Sequence, residues 1–390
     1  MGTFILSFFV VGNFRKETTS LTEANNYLAV HLHKLLSQED KNVFFSPFSI
    51  SVAMGMLLCA AEGVTASELR SALGHKNAGI KKKDLPSLFE QQMSILTPKD
   101  DSYILSFANS MLRQKHFQVK DEYKKIISDF FKGSIYEVDF AGETESVRKN
   151  INSWVSEKTN NMINDFLKCL DPSNVLILLN AVYFKGTWSK QFDKKDTRSG
   201  IFYNRGQKNK AKKVDMMHLT NPFPYYKDDT YQALQLPYIG DEMAMLILLP
   251  NERDGLGPLE ASLPPGFLQD LKRMLLTMKV EITFPRFKLD YEKSLIPSFK
   301  MLGVQRVFSS AELPHLTEGS GLFVSEILHR AVLEVNEEGS EAAAVTMIAL
   351  SRSISRPRRI PEFIADHPFL LVIYNTKNDL ILFMARVNEL

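Results

Sequence analysis

The residues that could do chemistry in this chain do not assemble into a catalytic centre. Eight histidines are scattered, and only two cysteines occur, Cys59 and Cys169. No Gly-x-Ser-x-Gly turn exposes a nucleophilic serine; Gly319-Ser320-Gly321 lacks the spacing and reads as a polar turn. Neither a phosphate-cradling glycine loop nor a His-Glu-x-x-His pair is found. Two cysteines without a histidine pair make neither a zinc site nor a disulfide framework. Both sit in apolar stretches, beside Leu57-Leu58 and Phe166-Leu167, and are expected as largely buried free thiols. His329 lies in an apolar run and is expected as a hydrogen-bonded core residue rather than a ligand. What the chain offers instead is a concentrated run of positive charge. Four arginines fall between positions 352 and 359, with no acid from 342 to 361. Such a segment reads as a solvated basic loop or as a surface complementary to an acidic partner.

Just upstream lies Glu337-Glu338-Gly339-Ser340-Glu341-Ala342-Ala343-Ala344-Val345-Thr346, after an apolar run from His329 to Val335. It lacks the Pro, Asn and Asp that usually punctuate surface loops. The β-branched residues that follow make it a poor helix start. Laid out as a strand, alternate side chains face opposite ways. One set is Ser340, Ala342, Ala344, Thr346, Ile348 and Leu350, all small or apolar and uncharged; the other begins at Glu341 and ends at Ser351. The segment reads as a loop able to become a buried strand.

The elements that must position this loop are legible in outline. Helical spacing covers Thr22 to Leu36, Thr65 to Leu73, Leu85 to Leu96, Tyr123 to Phe131, Val147 to Met162 and Gln269 to Met278. Ser49 to Ala61 is apolar on nearly all sides, as a buried helix should be. Strands are expected over Tyr103 to Leu112, Met243 to Leu249 and Val280 to Phe287. Val175 to Phe184 has the composition of a strand buried on both faces. Leu370 to Tyr374 and Leu380 to Val387 flank a turn-rich tip and read as a hairpin. Helices and strands mix without strict βαβ alternation, which favours α+β. No linker, repeat or low-complexity tract divides the 390 residues. One large domain over 20–390 is expected, preceded by a leader over 1–19. The apolar run from Phe4 to Gly12 is too short to span a bilayer and suits a secretory signal, although no basic residue precedes it. A net charge of +2 gives no field for nucleic acid.

The hinge-like stretch 337–346 resembles, position by position, the mobile-loop hinge of the serpin (serine protease inhibitor) family. Further blocks match in the family's order: Asn42 to Ile50, Asn180 to Trp188, His329 to Leu333 and Asp366 to Leu370. The resemblance implies an α+β serpin fold of three β-sheets and about nine helices, with an exposed reactive-centre loop over about 337–362. It implies a monomeric inhibitor of serine proteases, not an enzyme; the leader points to a secreted protein, with a cytoplasmic one as the alternative. A protease cuts the loop and is trapped as an acyl-enzyme while the cleaved loop inserts into the central sheet. The hinge would be Glu337, Gly339, Ser340, Glu341, Ala342, Ala343, Ala344 and Thr346. Counting from Gly339 by the commonest family spacing reaches Ser353; a hinge shorter by one reaches Arg352. Arg352 before Ser353 would suit trypsin-like enzymes, whereas a cut after Ser353 would suit elastase-like ones. By resemblance, Ser49, Asn180 and His329 form a polar cluster beneath the opening sheet, and Trp188 stands at the top of the insertion gap. Lys81, Lys82 and Lys83 precede a helix that some relatives use for heparin-like glycosaminoglycans. A second basic run is Arg205, Lys208, Lys210, Lys212 and Lys213. The rival reading is a serpin-fold carrier or chaperone that no longer inhibits.

Overall fold

The computed structural model describes residues 20–97, 103–319, 321–339 and 360–390. The elements in chain order are α1 (residues 20–36), β1 (Val43–Phe45), α2 (Pro47–Ala60), α3 (Gly63–Ala72), α4 (Leu85–Leu96), β2 (Tyr103–Gln114), α5 (Asp121–Phe131), β3 (Ser134–Val138) and α6 (Thr144–Lys158). They continue with β4 (Leu176–Gly186), β5 (Arg198–Tyr203), β6 (Ala211–Lys227), β7 (Tyr231–Pro237), β8 (Met243–Pro250), α7 (Leu256–Ser262), α8 (Phe267–Met274), β9 (Leu276–Pro285) and β10 (Phe287–Ser294). Last come α9 (Ile296–Met301), β11 (Glu326–Val335), β12 (Glu362–Ile364), β13 (Phe369–Asn375) and β14 (Ile381–Val387). Nine helices are thus present among the described residues, in an α+β arrangement.

Five strands make one sheet in the order β10-β11-β4-β2-β3. The other nine form a continuous ladder, β1-β14-β13-β8-β7-β6-β9-β12, with β5 also on β6. Two of the three expected sheets are joined because β6 is 17 residues long. Its first part pairs with β5, its middle with β9 and its end with β7.

The five-stranded sheet lies between two cores. Leu176, Leu178, Val182 and Phe184 of β4 face the main core, while Ile177, Leu179, Ala181 and Tyr183 face a second core roofed by α6. This explains why β4 reads as an unbroken apolar run. On α6, Val147, Ile151 and Val155 recur every four residues and turn into that second core. Burying each contributes about 2 kcal/mol. Behind the sheet, α2 is buried along its whole length. Pro47 fits its first turn, and the Ser46 hydroxyl caps it by accepting the Ser49 N–H at 3.1 Å.

Three local expectations need correction. The strand expected over Val280 to Phe287 is two strands: β9 ends at Pro285, which has no N–H to donate, and from Phe287 the chain pairs with β11 instead of β6. The helix expected to Met278 stops at Met274, and the next residues pair with β6 as the start of β9. Cys59 is buried, with desolvation pushing its thiol up to about 12, but Cys169 is exposed. Phe166 and Leu167 turn into the second core, while Lys168 and Cys169 face solvent.

Candidate functional site

The centre of the five-stranded sheet holds a parallel pair, β11 against β4, with Glu326 opposite Ile177 and Leu333 opposite Phe184. Both strands run in one direction, so a chain leaving the end of β11 and folding back between them would be antiparallel to each. Parallel ladders are slightly weaker per residue than antiparallel ones. The sheet has two such parallel seams, this one and β2–β3 at the edge, and this one adjoins the exit of β11.

Ser49, Asn180 and His329, expected as a cluster, do meet under this seam, and all three are buried. The Ser46 N–H donates to His329 Nε2 at 3.4 Å. That leaves the His329 Nδ1–H to donate to Asn180 Oδ1. The Asn180 amide in turn donates to Ser49 Oγ and to Asn109 Oδ1, and the Ser49 hydroxyl points to Asn109 Oδ1 at 3.4 Å. Burial holds the His329 imidazolium pKa down to about 3, so the ring is neutral. The network therefore joins α2, β2, β4 and β11. Sequence reading missed Asn109 and Ser46. Asn109 shares the main-core side of β2 with Met111, and a polar residue at that parity was the available signal.

At the top of the seam the chain leaves β11 through Asn336, Glu337, Glu338 and Gly339. Trp188, directly beyond β4, donates from Nε1 to the Asn336 carbonyl at 2.9 Å and from its backbone N–H to the Glu338 carbonyl at 3.2 Å. Its indole stacks on Tyr238 with centroids 4.6 Å apart. The Glu337 side chain is only 4% exposed. It accepts the Thr197 hydroxyl at 2.7 Å and lies 3.7 Å from the Arg286 guanidinium. The Phe192 N–H holds the Glu337 carbonyl at 3.0 Å, and Lys194 pairs with the Glu338 carboxylate. That bond raises the pKa of the exposed Lys194 ammonium. Gly339 has φ +75°, and a Cβ there would collide with the Trp188 nitrogen and the Gly186 carbonyl oxygen. Only glycine fits this turn. Thr197, Arg286, Phe192 and Lys194 carried no sequence signal, because each is far from the hinge along the chain. A cavity of about 470 Å³ lies beside this anchor, lined by Arg286, Phe287 and Glu337 among others.

The seam is also covered on its outer face. Leu328 and Val332 of β11 join the second core with residues of α6 and β4. The Arg330 guanidinium donates to the Asp165 carbonyl, and Lys168 pairs with Glu292 of β10 at 3.1 Å. The segment after α6 thus straddles the two halves of the sheet.

Ser340, Glu341, Ala342, Ala343, Ala344, Thr346, Arg352 and Ser353 lie outside the described residues, as does the leader over 1–19. Lys81 and Lys83 are exposed on the turn before α4, but Lys82 reaches back to the Ala61 carbonyl and to Glu62 at 2.7 Å. Arg205 is taken up by Asp40 and Glu389, whereas Lys208, Lys210, Lys212 and Lys213 are exposed, the last two on β6. No helix among the described residues is long and apolar enough to cross a membrane.

Comparison with known proteins places these features in context. Residues 23–390 match the family model described as Serpin (serine protease inhibitor). Intracellular coagulation inhibitor 2 of Tachypleus tridentatus is 38% identical over 95% of this chain and 91% of its own length. Iripin-8 of Ixodes ricinus is 36% identical over 95% of this chain and 94% of its own. Among solved structures, human thyroxine-binding globulin superposes with a TM-score of 0.86 at 26% identity, covering 96% of this chain and 99% of the other.

Proposed function

The chain belongs to the serpin family, a family of protease inhibitors rather than of enzymes, and from that premise we propose that it traps serine proteases as a suicide substrate. The observation that carries this reading is the parallel seam between β11 and β4 with Gly339 turned over its upper end. Insertion replaces one parallel ladder with two antiparallel ones. The segment from Ser340 to Leu350 matches β4 in length, since β4 has 11 residues. Its core-facing set is small or apolar throughout. Burying Ile348 and Leu350 adds about 2 kcal/mol each.

We take Arg352–Ser353 as the reactive bond and trypsin-like enzymes as the targets. The protease serine adds to the Arg352 carbonyl, the peptide bond to Ser353 breaks, and the new amine leaves with a proton. Arg352 then stays esterified to the enzyme while the freed hinge enters the seam, ahead of hydrolysis. Mixing the protein with trypsin should give a one-to-one adduct that survives SDS. Mass spectrometry of the adduct and released peptide should place the cut after Arg352. A cut after Ser353 would redirect the specificity to elastase-like enzymes. Clean cleavage without an adduct would favour a non-inhibitory carrier, the reading that the likeness to thyroxine-binding globulin keeps in view.

Three further parts of the reading rest on sequence. Secretion rests on the apolar run of Phe4 to Gly12, and N-terminal sequencing of material from culture medium tests it against a cytoplasmic protein, since the Tachypleus relative is named as intracellular. A single domain over 20–390 acting as a monomer is the simplest unit for this mechanism, and sedimentation checks it. For a glycosaminoglycan the available contacts are Lys81 and Lys83 or the exposed lysines of 208–213, since Lys82 is already paired.

A further inference from the structure

A second cavity, of about 440 Å³, lies on the opposite margin of the same sheet, where edge strand β3 faces α6. Its size is that of a small-ligand site. Tyr136 of β3 and Trp154 of α6 form its aromatic walls and meet edge to face, 5.7 Å apart at 73°. Val147 and Ile151 provide apolar lining.

The polar lining is one-sided in charge. Glu137, Asp139 and Glu143 contribute three carboxylates against the single ammonium of Lys115. The first two are already engaged: buried Arg113 pairs with Glu137, and Lys115 pairs with Asp139 at 2.7 Å. The Lys115 bond, with the Gly142 N–H, holds the Asp139 carboxyl down to about 2. Glu143 differs. Its backbone opens α6, but its carboxylate closes no ion pair and accepts no hydrogen bond among the described residues. It acts on Lys115 only through space.

These features select among ligands. No three acidic, His or Cys groups among the described residues converge to hold a metal ion. An anion would meet the excess carboxylates, and a neutral apolar body would desolvate Glu143 without pairing it. A cation with a flat apolar body satisfies both walls and rim, because aromatic faces attract cations and Glu143 supplies a free counter-charge. We infer that the cleft between β3 and α6 is a binding site for an aromatic organic cation, held by Trp154 and Tyr136 and paired with Glu143.

The site uses no residue of the hinge or the seam network, so it is tested on the intact protein whatever the outcome with proteases. Phenethylammonium is the probe, and 3-phenylpropanoate and 2-phenylethanol are its anionic and neutral counterparts, all followed by calorimetry. The amine should bind with one-to-one stoichiometry, and the carboxylate at least about ten-fold more weakly. Glu143→Gln, an exposed change, should weaken the amine by about three- to ten-fold and leave the alcohol no weaker. Trp154→Leu should weaken it by about ten-fold, and Trp154→Phe should restore part of the loss. Equal binding of amine and carboxylate would overturn the inference. So would parent-like affinity in Glu143→Gln, which reports on the site even if Trp154→Leu fails to fold.

Discussion

His329 on β11 sits directly opposite Asn180 on β4, and the two side chains are hydrogen-bonded across the parallel seam. The bond is therefore made between strands that an entering segment would have to separate. Of its other partners, Ser49 lies on the buried helix behind the sheet, Ser46 caps that helix, and Asn109 belongs to β2.

Acid should weaken this fold through His329. The ring titrates near 3 when folded and near its ordinary value of 6.5 when unfolded. The unfolded chain thus binds more protons between those values. Stability is full above about pH 6.5 and falls as pH drops towards 3, by up to about 1.4 kcal/mol per pH unit. Buried His75, also held down to about 3 by desolvation, adds an effect of the same sign. Thermal midpoints from pH 7.5 to 4.5 should fall more steeply for the parent than for His329→Asn. Parallel profiles would remove His329 from the account.

Asn180→Ala removes the hub of the network. His329 Nδ1–H loses its acceptor, and Ser49 Oγ and Asn109 Oδ1 each lose a donor. Buried groups left unpaired cost about 1–3 kcal/mol each. A loss of about 2–4 kcal/mol in urea unfolding is expected. A change below 0.5 kcal/mol would mean that water or repacking satisfies the site.

Gly339→Ala should disturb the hinge before any protease arrives. The added methyl meets the backbone of Gly186 and Trp188 at φ +75°. A cost of about 1–2 kcal/mol is expected, with a shift in the tryptophan emission of Trp188. An unchanged melt and spectrum would place the hinge elsewhere.

Ser340→Arg tests entry of the loop without touching the bond to be cut. A long charged side chain on the core-facing set should slow insertion and turn the protein into a substrate of trypsin. The adduct should fall at least about ten-fold while cleavage continues. Adduct formation equal to the parent's would refute the hinge argument.

Arg352→Ala removes the side chain that an acidic specificity pocket would take. Trypsin inhibition should be lost while the folded state and its melting point stay as they were. Retained one-to-one inhibition would move the reactive bond to another arginine of the loop.

Much of this arrangement was legible in sequence, for identifiable reasons. β4 announced itself because both its faces are buried, and α6 because its apolar residues keep helical spacing. Ser49, Asn180 and His329 were grouped only through the family resemblance, since 131 and 149 residues separate their bonded pairs. Asn109 was missed although its parity on β2 was readable. Thr197 and Arg286 could not be found from patterning, because Glu337 chooses them through tertiary contact alone. β6 escaped notice for another reason. It changes partners twice along its length, so no single alternation runs through it.

On the proposed mechanism, the cover formed by α6 and the segment behind it would set a timescale rather than an equilibrium. Its contacts with Val332, Arg330 and Glu292 on one side of the seam, and with β2 and β4 on the other, join the two halves of the sheet that an incoming strand would have to part. They would be given up early and regained once the strand was seated. They would therefore weigh on the height of the barrier more than on the difference between its ends. The uncut form would then have a shelf life, written into how firmly one helix sits on its sheet.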